Sequence, residues 1–303
     1  MSPSVVRVIA RGIAIGFALL LSTQPALGQG ASDQERPDAA SQRSYTEVFY
    51  KSGDLKIQAY LYKPEGAGPF PVVIYNHGSR IGRERHSVPW EFVGRMLTQA
   101  GFVALVPERR GYGSSDGPAY SGGGGYGLIQ RLQSETDDVL AAIDYLNGIP
   151  FADTGRMGIM GWSFGGMVTM FAISRSAAFR VAVDQAGGAL TWSGNPSVRE
   201  ALTTAAQTTN TPVLLMVAIS DRTTESVTTL ARHLQARNVP HRLIVYGSSG
   251  PVRGKEELVA LGHRVFSERG AEVWRDDVIE FLNRYLKPAP ASQEKPDRAT
   301  AVR

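Results

Sequence analysis

A serine within a Gly-x-Ser-x-Gly pattern is the residue of this chain best suited to covalent chemistry. Residues 156–166 read Arg-Met-Gly-Ile-Met-Gly-Trp-Ser-Phe-Gly-Gly, and apolar residues at helical spacing follow them. An apolar strand, a sharp turn and a helix together form a nucleophile elbow, which exposes one serine hydroxyl at the end of a sheet. The pattern therefore predicts that Ser163 is a nucleophile and that the chain is a hydrolase or an acyl transferase.

A second Gly-x-Ser-x-Gly string, at residues 113–117, centres on Ser115. It is followed by Pro118 and by four consecutive glycines at 122–125. These residues favour turns and loops over the helix that an elbow requires. We therefore expect Ser115 to have a structural role.

A serine nucleophile needs a general base within hydrogen-bonding distance, and histidine is the usual one. His263 lies between the last strand-like run and the last helical run, where a loop can carry its imidazole over the sheet edge. The other histidines lie in a turn-like segment (His77), a charged loop (His86), a helical run (His233) and the start of a strand (His241). We therefore predict that His263 is the base.

An acid must orient the histidine from the other side of its ring. Asp221 directly follows an apolar run at 213–217, 58 residues after Ser163 and 42 residues before His263. Asp184, one strand earlier, is the competing carboxylate. The position of Asp221 at the end of the penultimate strand favours it as the acid.

The oxyanion formed by acyl transfer requires preorganised N–H donors. The N–H of Phe164 is one candidate, because it stands at the start of the elbow helix. The second is expected in the loop after the strand at 72–75, where Gly78 permits close approach of the backbone. We predict that the N–H of Ser79 is this second donor.

Four further residues are candidates for contact with substrate: Trp162, Arg80, His86 and Tyr112. Arg80 and His86 belong to a basic loop beside the predicted oxyanion site. The loop either is simply solvated or recognises an acidic group of the substrate, because guanidinium pairs well with carboxylate.

Strand-like and helical runs alternate along the chain and must position these side chains. Residues 45–63 predict an antiparallel pair of strands with a turn at 52–54, and six apolar runs typical of buried strands follow, at 72–75, 103–106, 157–160, 181–183, 213–217 and 243–246. A capping box, Ser134-x-x-Asp137, predicts the start of one helix, and residues 197–209 predict another. We expect a mostly parallel eight-stranded sheet with helices on both faces and no large lid domain.

The two terminal segments of the chain differ in composition from its central part. Residues 1–28 combine Arg7 and Arg11, a short apolar stretch and a small-residue cleavage site, and so predict a signal peptide. Residues 29–43 predict a flexible leader, 44–287 one domain and 288–303 a disordered tail. We therefore expect a periplasmic or secreted protein that has no membrane association after signal cleavage.

Composition excludes several kinds of chemistry. The absence of cysteine excludes thiol nucleophiles, disulfides and cysteine metal sites. The net charge of +4 becomes +2 without Arg7 and Arg11, which does not favour nucleic acid as a partner. No His-Glu-x-x-His string occurs, so we predict no metal site.

The motifs Asn-His-Gly-Ser (76–79), Glu-Arg-Arg-Gly-Tyr-Gly-Ser-Ser (108–115) and Gly-Trp-Ser-Phe-Gly-Gly (161–166), followed by Asp221 and His263, resemble the α/β-hydrolase superfamily. Over about residues 45–286 the chain is most similar to dienelactone-hydrolase-type serine esterases, although dienelactone hydrolases proper use a cysteine nucleophile. The resemblance implies hydrolysis of small carboxylic esters or lactones without a cofactor, and we expect a monomer or homodimer.

Two alternatives remain open. The elbow also resembles that of prolyl-oligopeptidase-type peptidases, so the runner-up is a serine peptidase acting on short peptides. A non-catalytic scaffold with the same fold is the other alternative.

Overall fold

Eight strands form one sheet in the computed structural model, which describes residues 43–120, 125–247 and 261–287. The predicted signal peptide, the leader apart from Arg43, and the tail lie outside these ranges. The strands are β1 (Thr46–Ser52), β2 (Leu55–Tyr62), β3 (Phe70–Asn76), β4 (Val103–Glu108), β5 (Ala152–Trp162), β6 (Phe179–Gln185), β7 (Val213–Ala218) and β8 (His241–Tyr246).

The sheet has the order β1-β2-β4-β3-β5-β6-β7-β8. β1 and β2 form the predicted antiparallel pair, β2 is antiparallel to β4, and all remaining pairs are parallel. The predicted eight-stranded, mostly parallel sheet is therefore confirmed. Because β3 and β5 to β8 run parallel, their carboxyl ends share one edge of the sheet, where ligands of such folds gather.

The inner strands are apolar along their whole length because both of their faces are covered. Every residue of β4 and β7 is buried, and so are the last six residues of β3. The edge strand β8 instead alternates between half-buried and exposed positions. The long apolar runs of the sequence thus correspond to strands between two helical layers.

The described helices are α1 (Glu91–Gln99), α2 (Gly125–Asn147), α3 (Phe164–Arg175), α4 (Pro196–Thr208), α5 (Glu225–Ala236) and α6 (Ala271–Leu286). Helices α2 to α5 pack beside one another, whereas α6 packs on β5 and β6 separately from them. Between β6 and β7 only α4 intervenes, so this connection holds no lid domain. None of the helices in the described ranges has the length and apolar character needed to cross a membrane.

The predicted start of α2 was wrong. Ser134 lies in the middle of the helix, which begins at Gly125. The first turns contain Gly125 and Gly127. Because glycine has a low helix propensity, the sequence does not predict that these turns are helical. Burial of Leu128 and Leu132 against the core stabilises these turns.

Candidate active site

The backbone at Ser163 is strained in the way that a nucleophile elbow requires. Ser163 has φ 59° and ψ −116°, directly between the end of β5 and the start of α3. A Cβ at Gly161 would lie 2.2 Å from the Gly165 carbonyl oxygen, and one at Gly165 would lie 1.9 Å from the Asn76 carbonyl oxygen. Only glycine fits at both positions, which explains the spacing of the motif.

Ser163, His263 and Asp221 form one hydrogen-bonded chain. Ser163 Oγ lies 2.8 Å from His263 Nε2, and His263 Nδ1 lies 2.8 Å from Asp221 Oδ2. The Asp221 carboxylate is buried, and its Oδ1 accepts a hydrogen bond of 2.7 Å from the Arg222 N–H. The arrangement has the order of contacts of a serine–histidine–acid triad.

Three separate segments carry these side chains to the shared edge of the sheet. Ser163 follows the central strand β5, Asp221 follows β7 in a turn closed by its own N–H to the Ala218 carbonyl, and His263 lies in a 3₁₀ turn, Gly262–Phe266. Gly262 has φ 57°, and a Cβ there would lie 2.7 Å from the Ser220 carbonyl oxygen. A glycine at this position therefore lets the turn that contains His263 approach the turn that contains Asp221.

His77 does not act as the base in this arrangement. Its ring is fully buried, and its Nδ1 lies 2.7 Å from the Gly78 carbonyl oxygen. Burial and the nearby Arg109 guanidinium lower the pKa of His77 to about 4, so its ring is neutral at physiological pH. His77 thus shapes the turn after β3, as its sequence context suggested.

Asp184 is buried in β6 and does not contact His263. Its Oδ1 accepts a hydrogen bond of 2.7 Å from the Gly187 N–H, and its Oδ2 has no hydrogen-bond partner within the described part of the chain. Burial raises the pKa of Asp184 to about 7, against the weaker opposing effect of the Gly187 hydrogen bond. The competing acid of the sequence analysis is therefore a buried structural carboxyl.

Asp184 should make the stability of the fold depend on pH. Between about pH 4 and pH 7 the folded protein retains a proton that the unfolded chain releases, so the free energy of unfolding falls as pH rises through this window. The shift corresponds to a loss of up to about 4 kcal/mol. Asp184→Asn cannot ionise, and denaturant unfolding from pH 4 to pH 8 should show a correspondingly flatter profile for this variant.

The exposed hairpin residue Asp54 provides the control for this measurement. Asp54→Asn should keep the pH profile of the wild type. Parallel profiles for the wild type and Asp184→Asn would contradict the assignment of the effect to Asp184.

The loop after β3 lies directly against Ser163. A Cβ at Gly78 would lie 3.3 Å from the Ser163 Cβ and 3.3 Å from the Trp162 carbonyl oxygen. Phe164 begins α3, so its N–H belongs to the first helical turn, whose donors have no partner within the helix. Phe164 thus lies at the start of the elbow helix, and the roles of the Phe164 and Ser79 N–H groups as oxyanion donors stay predictions.

A buried ionic network behind this loop was missed in the sequence. The Arg80 guanidinium forms two hydrogen bonds with the carboxylate of the fully buried Glu108. Arg109 donates to the His77 carbonyl oxygen at 2.8 Å and to Glu135 at 2.7 Å. The network holds the loop after β3 in place, because Arg80 and His77 both belong to that loop. The only available signal was the cluster of charges directly after an apolar strand.

The four residues predicted to contact substrate differ in their exposure and in their hydrogen-bond partners. Arg80 is held by Glu108, and the buried Tyr112 hydroxyl accepts from Arg131, so neither side chain is free for the predicted contact with substrate. His86 is exposed, and its role stays a prediction. Trp162 is half-buried, and its indole N–H donates to the His263 carbonyl oxygen at 3.1 Å.

Ser115 has the structural position expected of it. The side chain is buried, its Oγ donates to the Glu108 carbonyl oxygen, and it accepts a hydrogen bond of 2.9 Å from the Gln58 N–H. These contacts join the turn after β4 to β2.

Comparison of the chain with protein families gives a match over most of the described fold. Residues 57–285 match the family model of the dienelactone hydrolase family. This range includes Ser163, Asp221 and His263.

Three curated relatives show similarity over parts of the chain. The quorum-quenching protein AidA of Acinetobacter baumannii is 31% identical over 120 residues, which are 40% of this chain and 36% of the relative. A putative carboxymethylenebutenolidase of Methylorubrum extorquens is 28% identical over 189 residues, 58% of each chain. Human dipeptidyl peptidase 8 is 30% identical over 143 residues, 45% of this chain and 16% of the peptidase. The matches thus span less than two thirds of each relative's length.

Solved structures show the same fold in esterases and peptidases. Acylaminoacyl peptidase of Pyrococcus horikoshii superimposes with a TM-score of 0.62 at 18% identity, over 84% of this chain and 44% of the peptidase. The esterase Pf2001 of Pyrococcus furiosus gives a TM-score of 0.57 at 18% identity, over 80% of this chain and 91% of the esterase. These likenesses concern the fold.

Proposed function

Because this chain belongs to the dienelactone hydrolase family, we propose that it is a serine hydrolase that cleaves carboxylic esters or lactones through an acyl-enzyme on Ser163. The observation that carries the proposal is the pair of 2.8 Å contacts that joins Ser163 Oγ, the His263 imidazole and the Asp221 carboxylate. A nucleophile, a base and an orienting acid in this order are what acyl transfer requires.

Acylation begins with attack of Ser163 Oγ on the ester carbonyl carbon. His263 Nε2 accepts the hydroxyl proton as the new C–O bond forms, and Asp221 stabilises the resulting imidazolium through Nδ1–H. The carbonyl oxygen becomes an oxyanion, which we assign to the N–H groups of Phe164 and Ser79. His263 then returns the proton to the leaving alcohol as the ester C–O bond breaks.

Deacylation repeats these steps with water as the nucleophile. His263 accepts a proton from water as its oxygen attacks the acyl carbon, and then protonates Ser163 Oγ as the acid leaves. Every proton in the cycle passes through His263. The proposal thus assigns both half-reactions to the same three side chains.

Exposed apolar side chains follow strands on both sides of β5. Ile81, in the loop after β3, is 79% exposed, and Leu190 and Ile219, after β6 and β7, are 47% and 59% exposed. β5 lies between β3 and β6, so these side chains lie on opposite sides of the Ser163 strand at the carboxyl edge. This placement supports an ester with apolar groups on both sides of the scissile bond, since burial of apolar surface favours binding.

Serine peptidase activity is the second candidate. The similarity to a dipeptidyl peptidase and the Trp-Ser-Phe-Gly-Gly elbow favour it. An ester and an amide with the same acyl group distinguish the two activities. We expect the ratio of kcat/KM for the ester to kcat/KM for the amide to be much larger for this protein than for a serine peptidase assayed in parallel. A ratio smaller than that of the peptidase would favour peptidase activity.

A fluorophosphonate tests the nucleophile directly. We expect one covalent adduct, mapped to Ser163 by mass spectrometry, and much slower labelling of the His263→Ala variant. Ser115→Ala should label like the wild type if it remains folded. A folded protein that gives no adduct would favour the non-catalytic scaffold.

We also propose that the protein is exported, on the signal-peptide pattern of residues 1–28. Expression of the full chain in a bacterium tests this proposal. The protein recovered from the periplasm or medium should have the mass of a chain that begins at Gln29. Recovery of only the full-length chain from the cytoplasm would contradict it.

A further inference from the structure

Two tryptophan side chains hold the short turn that carries the proposed base. The indole N–H of Trp162 donates to the main-chain carbonyl of His263 at 3.1 Å, and that of Trp274 donates to the carbonyl of Val265 at 2.9 Å. Both acceptors lie in the Gly262–Phe266 turn. The turn is therefore attached to β5 on one side and to α6 on the other.

Trp162 differs from Trp274 because it directly precedes the proposed nucleophile. Its ring also lies against the imidazole of His263, with centroids 5.7 Å apart and planes inclined by 34°. One residue of the elbow thus contacts both the main chain and the ring of the base, across a separation of 101 residues.

We propose that Trp162 is a positioning residue that sets the separation between Ser163 Oγ and His263 Nε2; this inference rests on the serine hydrolase function proposed above. The indole N–H fixes the main chain of His263 relative to the elbow. Because the bond goes to a carbonyl, Nδ1 and Nε2 of His263 keep their contacts with Asp221 and Ser163.

The geometry explains why such a contact matters for catalysis. Proton transfer from Ser163 depends on a short and aligned contact with Nε2, and small displacements of a catalytic group have large effects on rate. The π-system of the Trp162 ring, whose centroid is 5.7 Å from that of the imidazole, also favours the positive charge that the imidazole acquires during attack, since aromatic rings attract cations within about 6 Å. Both effects act on the chemical step and leave substrate binding unchanged.

Trp274 provides a matched control, because Trp274→Phe removes the same kind of N–H donor from the same turn. Its ring is fully buried beneath the turn, where it packs against Phe266. The loss of its hydrogen bond should therefore lower stability more than catalysis. For the half-buried Trp162, loss of the hydrogen bond should lower catalysis more than stability.

The test compares Trp162→Phe and Trp274→Phe for ester hydrolysis and for denaturant unfolding. For Trp162→Phe we expect kcat and the rate of fluorophosphonate labelling to fall about tenfold, with KM within about twofold of the wild type. For Trp274→Phe we expect kcat within about twofold and the larger decrease in unfolding midpoint. A rise in KM with unchanged kcat for Trp162→Phe would instead make it a substrate contact and would overturn the proposal. Equal losses of kcat in the two variants would also overturn it.

A spectroscopic measurement separates failure of this proposal from failure of the proposed function. The Nδ1–H proton that His263 donates to Asp221 gives a far-downfield proton resonance when the pair is well ordered. We expect Trp162→Phe to broaden or shift this resonance, whether or not the protein hydrolyses the esters tested, and Trp274→Phe to leave it in place. An unchanged resonance in Trp162→Phe would refute the positioning role, whereas an inactive wild type with the expected resonance change would refute only the hydrolase function.

Discussion

Replacing Ser163 with alanine is expected to lower kcat for ester hydrolysis about 10⁶-fold, the scale seen when a serine hydrolase loses its nucleophile. Alanine retains the Cβ but removes the Oγ that lies 2.8 Å from His263 Nε2, so no acyl-enzyme can form. The proposed oxyanion donors remain, and they leave a small residual rate. The measurement is kcat with the best ester from a short-chain and aromatic series, together with fluorophosphonate labelling.

Ser115→Ala serves as the control for a serine in the same five-residue pattern. Its hydroxyl joins β2 to the turn after β4 and lies away from the triad contacts, so the variant should lose stability and keep the kcat of the folded fraction. Retention of wild-type kcat by purified Ser163→Ala, with labelling at another residue, would contradict the proposed mechanism.

Replacing Asp221 with asparagine should lower kcat about 10⁴-fold. The buried carboxylate accepts from His263 Nδ1–H and thereby leaves Nε2 unprotonated and facing Ser163. An asparagine amide can present an N–H₂ group to Nδ1, which favours the wrong imidazole tautomer and provides no charge to stabilise the imidazolium. The loss should appear in kcat and in the labelling rate, with a smaller change in KM.

Asp184→Asn is the matched control, because it makes the same chemical change at the other candidate acid. Asp184 bonds to the Gly187 N–H and does not contact His263, so kcat should remain within about threefold of the wild type at pH 8. A larger loss in Asp184→Asn than in Asp221→Asn would reverse the assignment of the acid.

The sequence predicted those features that depend on residues close together along the chain. The strands were visible as apolar runs because inner parallel strands are buried on both faces. The elbow was visible because Gly161 and Gly165 must lie two residues on either side of Ser163 to avoid backbone collisions. Asp221 was favoured over Asp184 because it follows the apolar run of the penultimate strand. The structure places Asp184 within β6.

Features that depend on distant partners were not visible. The sequence predicts Arg80 as a substrate contact, but in the structure Glu108, 28 residues away, binds its guanidinium. The start of α2 was missed because its glycine-containing turns are stabilised by burial of Leu128 and Leu132. The contact between Trp162 and the His263 carbonyl has no signature in either segment alone.

Local physics therefore determined the class of fold, the elbow and the candidate residues of this protein from its sequence alone. Hydrophobic periodicity and glycine spacing can be recognised within short stretches of chain, and steric exclusion acts between near neighbours. Only the tertiary structure decided which carboxylate meets His263, which arginines are already paired, and what holds the histidine turn. These contacts join segments up to 101 residues apart, and their energies depend on burial and on distances that no spacing in the sequence records.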